Sequence, residues 1–122
     1  MTRGIIVFAH GSRIESANEG VRSVAAELAR QGGYEHVRAA FLELGQPDLE
    51  GAVVDLAAGG VEAIVVIPYF LTLGLHLERD LPRIVRDISN KHKGLEISVA
   101  LPLEGHPALV QVLLDRSRAF LS

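Results

Sequence analysis

Apolar residues follow two rhythms along this chain. Residues 5–9 (Ile-Ile-Val-Phe-Ala) and 63–67 (Ala-Ile-Val-Val-Ile) are unbroken apolar runs. Strands buried on both faces read this way, whereas half-solvated strands alternate. Residues 36–42 give a second, weaker strand and residues 95–101 a fourth. Between these runs the spacing changes to threes and fours. Ile14, Ala17, Val21, Val24, Ala25 and Leu28 form one stripe of a helix over about residues 14–31, closed by Gly32-Gly33. Leu49, Ala52, Val53 and Leu56 make a shorter stripe that stops at Gly59-Gly60, and Leu81, Ile84, Val85 and Ile88 make a third. Pro82 is tolerable only near a helix start. Residues 69–77 therefore read as a loop, with His76 in it or in the first turn of the helix that follows. Pro107 suits a first helical position, and Leu109, Val110, Leu113 and Leu114 begin the last helix. The order βαβαβαβα predicts an α/β domain over residues 1–122: a four-stranded parallel sheet with helices on both faces.

In open parallel sheets, ligands bind beyond the carboxyl ends of the strands. Four ionisable residues fall just past the four predicted strands: His10, Glu43, His76 and His106. His10 ends the first apolar run and stands where an imidazole can bind metal or move protons near neutral pH. Glu43 lies between Leu42 and Leu44, either as a rim carboxylate or as an arginine's partner. His76 follows Gly74 in the third loop. Ser12 either orients a ligand or caps a helix through the Ser-x-x-Glu spacing to Glu15. Arg13 stands at the same helix N-terminus, where anions are favoured. Asp80 reads as the cap of the third helix. His36 falls at the opposite rim, and His92 at a solvated helix end. His106 is on the right rim, before Pro107.

Composition narrows the chemistry. The chain has 122 residues, 48% apolar and 22% charged, enough for one folded domain. With no cysteine, a disulfide framework, an iron–sulfur cluster and a thiolate metal site are excluded. A formal charge of −3 argues against nucleic acid as partner. No apolar run approaches membrane-spanning length, and the first strand starts too early to leave room for a leader peptide, so a cytoplasmic protein is expected. The phosphate-binding, dinucleotide and nucleophile-elbow glycine motifs are absent. Two or three histidines with a carboxylate suit a borderline divalent metal such as cobalt, nickel, iron or zinc.

Four blocks, taken in order, resemble the class II tetrapyrrole chelatases, in particular the small sirohydrochlorin cobaltochelatases. They are Phe8-Ala9-His10-Gly11-Ser12-Arg13; Ala40-Phe41-Leu42-Glu43-Leu44 with Pro47; Pro68-Tyr69-Phe70-Leu71 with Gly74-Leu75-His76 and Asp80-Leu81-Pro82; and Leu101-Pro102-Leu103 with His106-Pro107 and Leu113-Leu114-Asp115-Arg116. Thr72-Leu73 and Glu104 depart from the family pattern. The resemblance implies a flavodoxin-like half-chelatase that works as a homodimer and inserts divalent cobalt, or alternatively iron or nickel, into sirohydrochlorin. It implies His10 and His76 as metal ligands and bases, Glu43 in the same cavity, and Ser12, Arg13 and Gly74 at the substrate. No cofactor beyond the substrate metal is implied. Arg79, Arg83 and Arg86 are candidates for the substrate carboxylates, because guanidinium matches carboxylate in a fork. A metal or tetrapyrrole carrier with the same pocket and no turnover is the alternative, but His10, Glu43 and His76 together favour an enzyme, since a carrier needs ligands and no spare base. A nickel chelatase for a related tetrapyrrole is a third reading that ligand chemistry does not separate.

Overall fold

The computed structural model describes residues 1–121. Its order is β1 (Arg3–Ala9), α1 (Glu15–Gly32), β2 (Val37–Phe41), α2 (Leu49–Ala58), β3 (Ala63–Pro68), α3 (Gly74–Lys91), β4 (Glu96–Val99) and α4 (Ala108–Leu121). All neighbouring strands are parallel, in the order β2-β1-β3-β4. β1 is therefore central, and its run Ile6–Ala9 is buried throughout. That double-sided burial is why its sequence does not alternate.

The two faces are covered unequally. On one, Leu49, Ala52, Val53 and Leu56 of α2 and Leu77, Leu81, Val85 and Ile88 of α3 close over Ile6, Phe8, Ile64 and Val66. On the other, Ala25, Val21 and Leu28 of α1 close over Val7, Ala9, Ala39 and Phe41. None of the residues of α4 is buried, so in the single chain it adds no layer. None of the helices among the described residues is long and apolar enough to cross a membrane.

Several local expectations are corrected. Pro82 lies well inside α3 rather than at its start. A mid-helix proline costs about 3 kcal/mol. Four buried α3 side chains, at roughly 1.5–3 kcal/mol each, outweigh that, and Pro82 is on the exposed side. Asp80 is thus inside the helix and does not cap it; it pairs with Arg83 at 3.5 Å. The fourth strand shortens to Glu96–Val99. In α1, Ile14 and Val24 face outward, and the inward stripe is Asn18, Val21, Ala25 and Leu28.

Candidate active site at the carboxyl rim

Parallel pairing brings every strand's carboxyl end to one edge, and β1 and β2 continue their pairing one step past the sheet. The Leu42 amide donates to Ala9 O at 2.9 Å and the Glu43 amide to His10 O at 3.0 Å. His10 and Glu43 therefore leave the sheet side by side, with His10 Nε2 3.5 Å from Glu43 Oε1. Both side chains are 57% exposed. A contact that open contributes little to stability, so the fold does not require these two residue types for its own sake. His10 Nδ1 lies 3.1 Å from Gly11 O. With Nδ1–H donated there, Nε2 is the ring atom left facing Glu43 and solvent.

Gly11 makes this approach possible. A Cβ at Gly11 would lie 1.7 Å from Glu43 O, and its φ is +95°. No side chain fits there. Ser12 and Arg13 follow on the same turn. The capping box expected from Ser12 and Glu15 does not form. Ser12 Oγ instead accepts from the Ile14 amide at 3.0 Å, and Ile14, without a side-chain cap, stands at the start of α1. Glu15 turns to Arg22 at 2.6 Å. That guanidinium, and after it Asn18, holds the Glu15 carboxyl below its ordinary range. Arg22 also donates to Gln46 O at 2.8 Å and lies 5.3 Å over the Phe41 ring, which fastens α1 to the loop after β2. Arg13 is exposed on the rim.

The other half of the rim is open. Gly74 begins α3 with φ +72° and nothing within 4 Å of where a Cβ would stand. His76 is exposed in the first turn of that helix, rather than free in the loop. The structure joins His10 to Glu43, and no hydrogen bond or ion pair among the described residues joins His76 to either. Nor do three His, Asp or Glu side chains gather anywhere among the described residues as a metal cage. His106 is engaged as the cap of α4, its Nδ1 accepting from the Ala108 amide at 3.0 Å. His36 lies at the opposite end of the sheet, beside a groove of about 580 Å³ lined by Ile5, Val65 and Ser98. His92 is half-buried and holds Glu50 at 3.2 Å, so it is a helix–helix tie rather than a solvated end. Asn18 was invisible as a candidate in the sequence. Its signal was a polar residue at the first position of the inward stripe 18-21-25-28.

The CbiX family model matches residues 4–119. The chain is 32% identical over 119 residues to the sirohydrochlorin cobaltochelatase of Sulfolobus acidocaldarius, covering 98% of this chain and 93% of that one. It is 31% identical to the chloroplastic sirohydrochlorin ferrochelatase of Arabidopsis thaliana, covering 98% of this chain and 53% of that one. The crystal structure of a putative cobalamin biosynthesis CbiX protein from Marinobacter aquaeolei superposes with a TM-score of 0.86 at 30% identity, covering 98% and 97% of the two chains.

Proposed function

This chain belongs to the CbiX family, and from that premise we propose that it is a sirohydrochlorin cobaltochelatase, inserting Co²⁺ into the free-base macrocycle. Kinship over almost the whole length, to relatives of matching size that carry that name, is what carries the reaction. The His10–Glu43 pair is what supports the site.

Insertion replaces two pyrrole protons by one divalent ion, so the reaction consumes M²⁺ and releases two H⁺. A site for it needs donors that hold the ion weakly and acceptors for the protons. In this reading His10 Nε2 and His76 hold the metal over the ring. Glu43 takes a pyrrole proton, and the histidines accept protons as the metal leaves them. Imidazole and carboxylate bind Co²⁺, Fe²⁺ and Ni²⁺ alike, so cobalt, iron and nickel differ here in degree. Ser12, Arg13 and Gly74 meet the edge of the macrocycle, and Arg13 with Arg79, Arg83 and Arg86 offers cations for its carboxylates.

Residues 1–122 act as a single half-chelatase in this account, and the working form is a homodimer. The supporting feature is α4, whose Val110, Leu113, Leu114 and Phe120 are 40–90% exposed. Exposed apolar surface on that scale marks an interaction site. A second copy would cover it and supply the opposite wall of a cleft that the open rim lacks. A cytoplasmic location belongs to the same reading.

The test follows sirohydrochlorin absorbance with and without Co²⁺ at several protein concentrations. Many product molecules per chain are expected. Conversion that stops at one equivalent would make the protein a carrier. Competition among Co²⁺, Fe²⁺ and Ni²⁺ in the same assay ranks the metals.

A further inference from the structure

Asn18 is 1% exposed, the one buried polar side chain among the described residues. A buried amide needs partners, and those of Asn18 lie on two different loops. Its Oδ1 accepts from the Ser12 amide at 2.9 Å. Its Nδ2 donates to Ser12 O at 2.9 Å and to Leu44 O at 3.0 Å, and reaches Glu15 Oε2 at 3.3 Å. Ser12 is two residues beyond His10, and Leu44 is the residue after Glu43. Leu44 has a left-handed φ of 58°, a conformation that L-residues avoid. The carbonyl of that residue is one of the two that Asn18 holds. Gly45 follows under the same constraint: a Cβ there would come 2.8 Å from the Phe41 ring and 3.1 Å from Asn18 Nδ2. Beside this amide, the loops are joined at the rim by the backbone bond from the Glu43 amide to His10 O.

We infer that Asn18 is a positioning residue that fixes the separation of His10 and Glu43 by clamping the loop after β1 to the loop after β2. It touches neither metal nor macrocycle. A leucine of similar size would fill the space but could bond neither loop, so the residue type is set by the clamp and not by packing. The inference deepens the chelatase reading, but only its kinetic arm rests on that reading.

Asn18→Asp keeps the shape and the acceptor for the Ser12 amide. It loses the donors and sets a carboxylate against two carbonyl oxygens. Should it fail to fold, Asn18→Ser, which retains one short donor, is measured instead. Amide hydrogen exchange is expected to show protection at the Glu43 N–H falling by about tenfold or more, while the amides in the middle of α1 keep theirs. For Co²⁺ insertion, kcat should fall about 10- to 100-fold, the scale of a small misplacement of reacting groups. KM should stay within about twofold, and in a Glu43→Gln background the added loss should largely vanish. Unchanged protection at Glu43 overturns the inference, as does a kcat loss of equal size in both backgrounds. If the wild-type protein inserts no metal, the chelatase reading alone fails, and exchange at Glu43 still decides whether Asn18 is the clamp.

Discussion

Between β1 and β2 the rim is held from below and from the side. Two backbone bonds extend the ladder past the sheet, Gly11 lets the loops meet, Asn18 bridges them and Arg22 fastens the helix to Gln46. Between β3 and β4 the ties among the described residues are backbone bonds without a bridging side chain: Ala100 to Val66 O past the end of β4, and Leu103 to Phe70 O and Glu104 to Leu71 O between the two loops. His76 stands on an exposed first turn beyond them. One half thus presents a formed pair, and the other presents an exposed imidazole that no hydrogen bond or ion pair among the described residues ties to it. In the proposed chelatase reading this division serves a site that must both take up a metal and give it up: the fixed half would set geometry before substrate arrives, and the open half would admit a flat ring.

The sharpest way to break the comparison is to put the same methyl group in both halves. Gly11→Ala drives a Cβ into Glu43 O at 1.7 Å. It should cost at least about 3 kcal/mol, or prevent folding, since a left-handed conformation and a backbone clash combine. Gly74→Ala meets open space and should cost only about 1–2 kcal/mol for the left-handed alanine. Urea denaturation of the two variants gives both values, and equal losses would erase the distinction between a clamped and an open half.

A smaller effect sharpens the chemistry around the clamped half. Arg13→Ala removes one exposed cation. KM for sirohydrochlorin should rise about 5- to 10-fold, the worth of one partly exposed charge-assisted contact, with kcat nearly unchanged. The salt dependence of KM should weaken with it. An unchanged KM would leave Arg13 as ordinary surface.

The smallest effect concerns acid stability. Arg22 lowers the Glu15 carboxyl, and His92, ahead of Lys91, lowers that of Glu50. A carboxyl held lower in the folded than in the unfolded chain stabilises above its unfolded value and loses that contribution as pH falls through the folded one. The melting temperature should therefore decline as pH drops below the ordinary glutamate value of about 4.5. Glu15→Gln should flatten that decline slightly, because the group is exposed. A slope that Glu15→Gln leaves untouched would mean that the Arg22 link does not act in solution.

How much of this could be read from the chain depended on what each residue answers to. The runs at 5–9 and 63–67 declared β1 and β3 because burial on both faces leaves no room for alternation. The positions of His10 and Glu43 on the rim followed from strand order alone. Pro82 misled, because its local cost is real but smaller than the burial of Leu77, Leu81, Val85 and Ile88 around it. The Ser12–Glu15 spacing misled because Arg22, seven residues further on, competes for the carboxylate. Asn18 escaped notice because a polar residue within an apolar stripe looks like an interruption until two loops converge on it. The apolar stripe of α4 reads like that of any packed helix, and periodicity carries no sign that in the single chain it stays exposed.

His10 and His76 are proposed as working groups rather than structural ones, and one comparison decides between the two roles: the Co²⁺-insertion rate and the melting temperature measured together on wild type, His10→Ala and His76→Ala. Both side chains are exposed, so melting should change little, within about 0.5 kcal/mol of stability. Each loss should lower kcat by about 100-fold or more, the usual scale for a positioned acid–base group. Variants that melt several degrees earlier yet insert cobalt at the wild-type rate would contradict the site while leaving the fold intact.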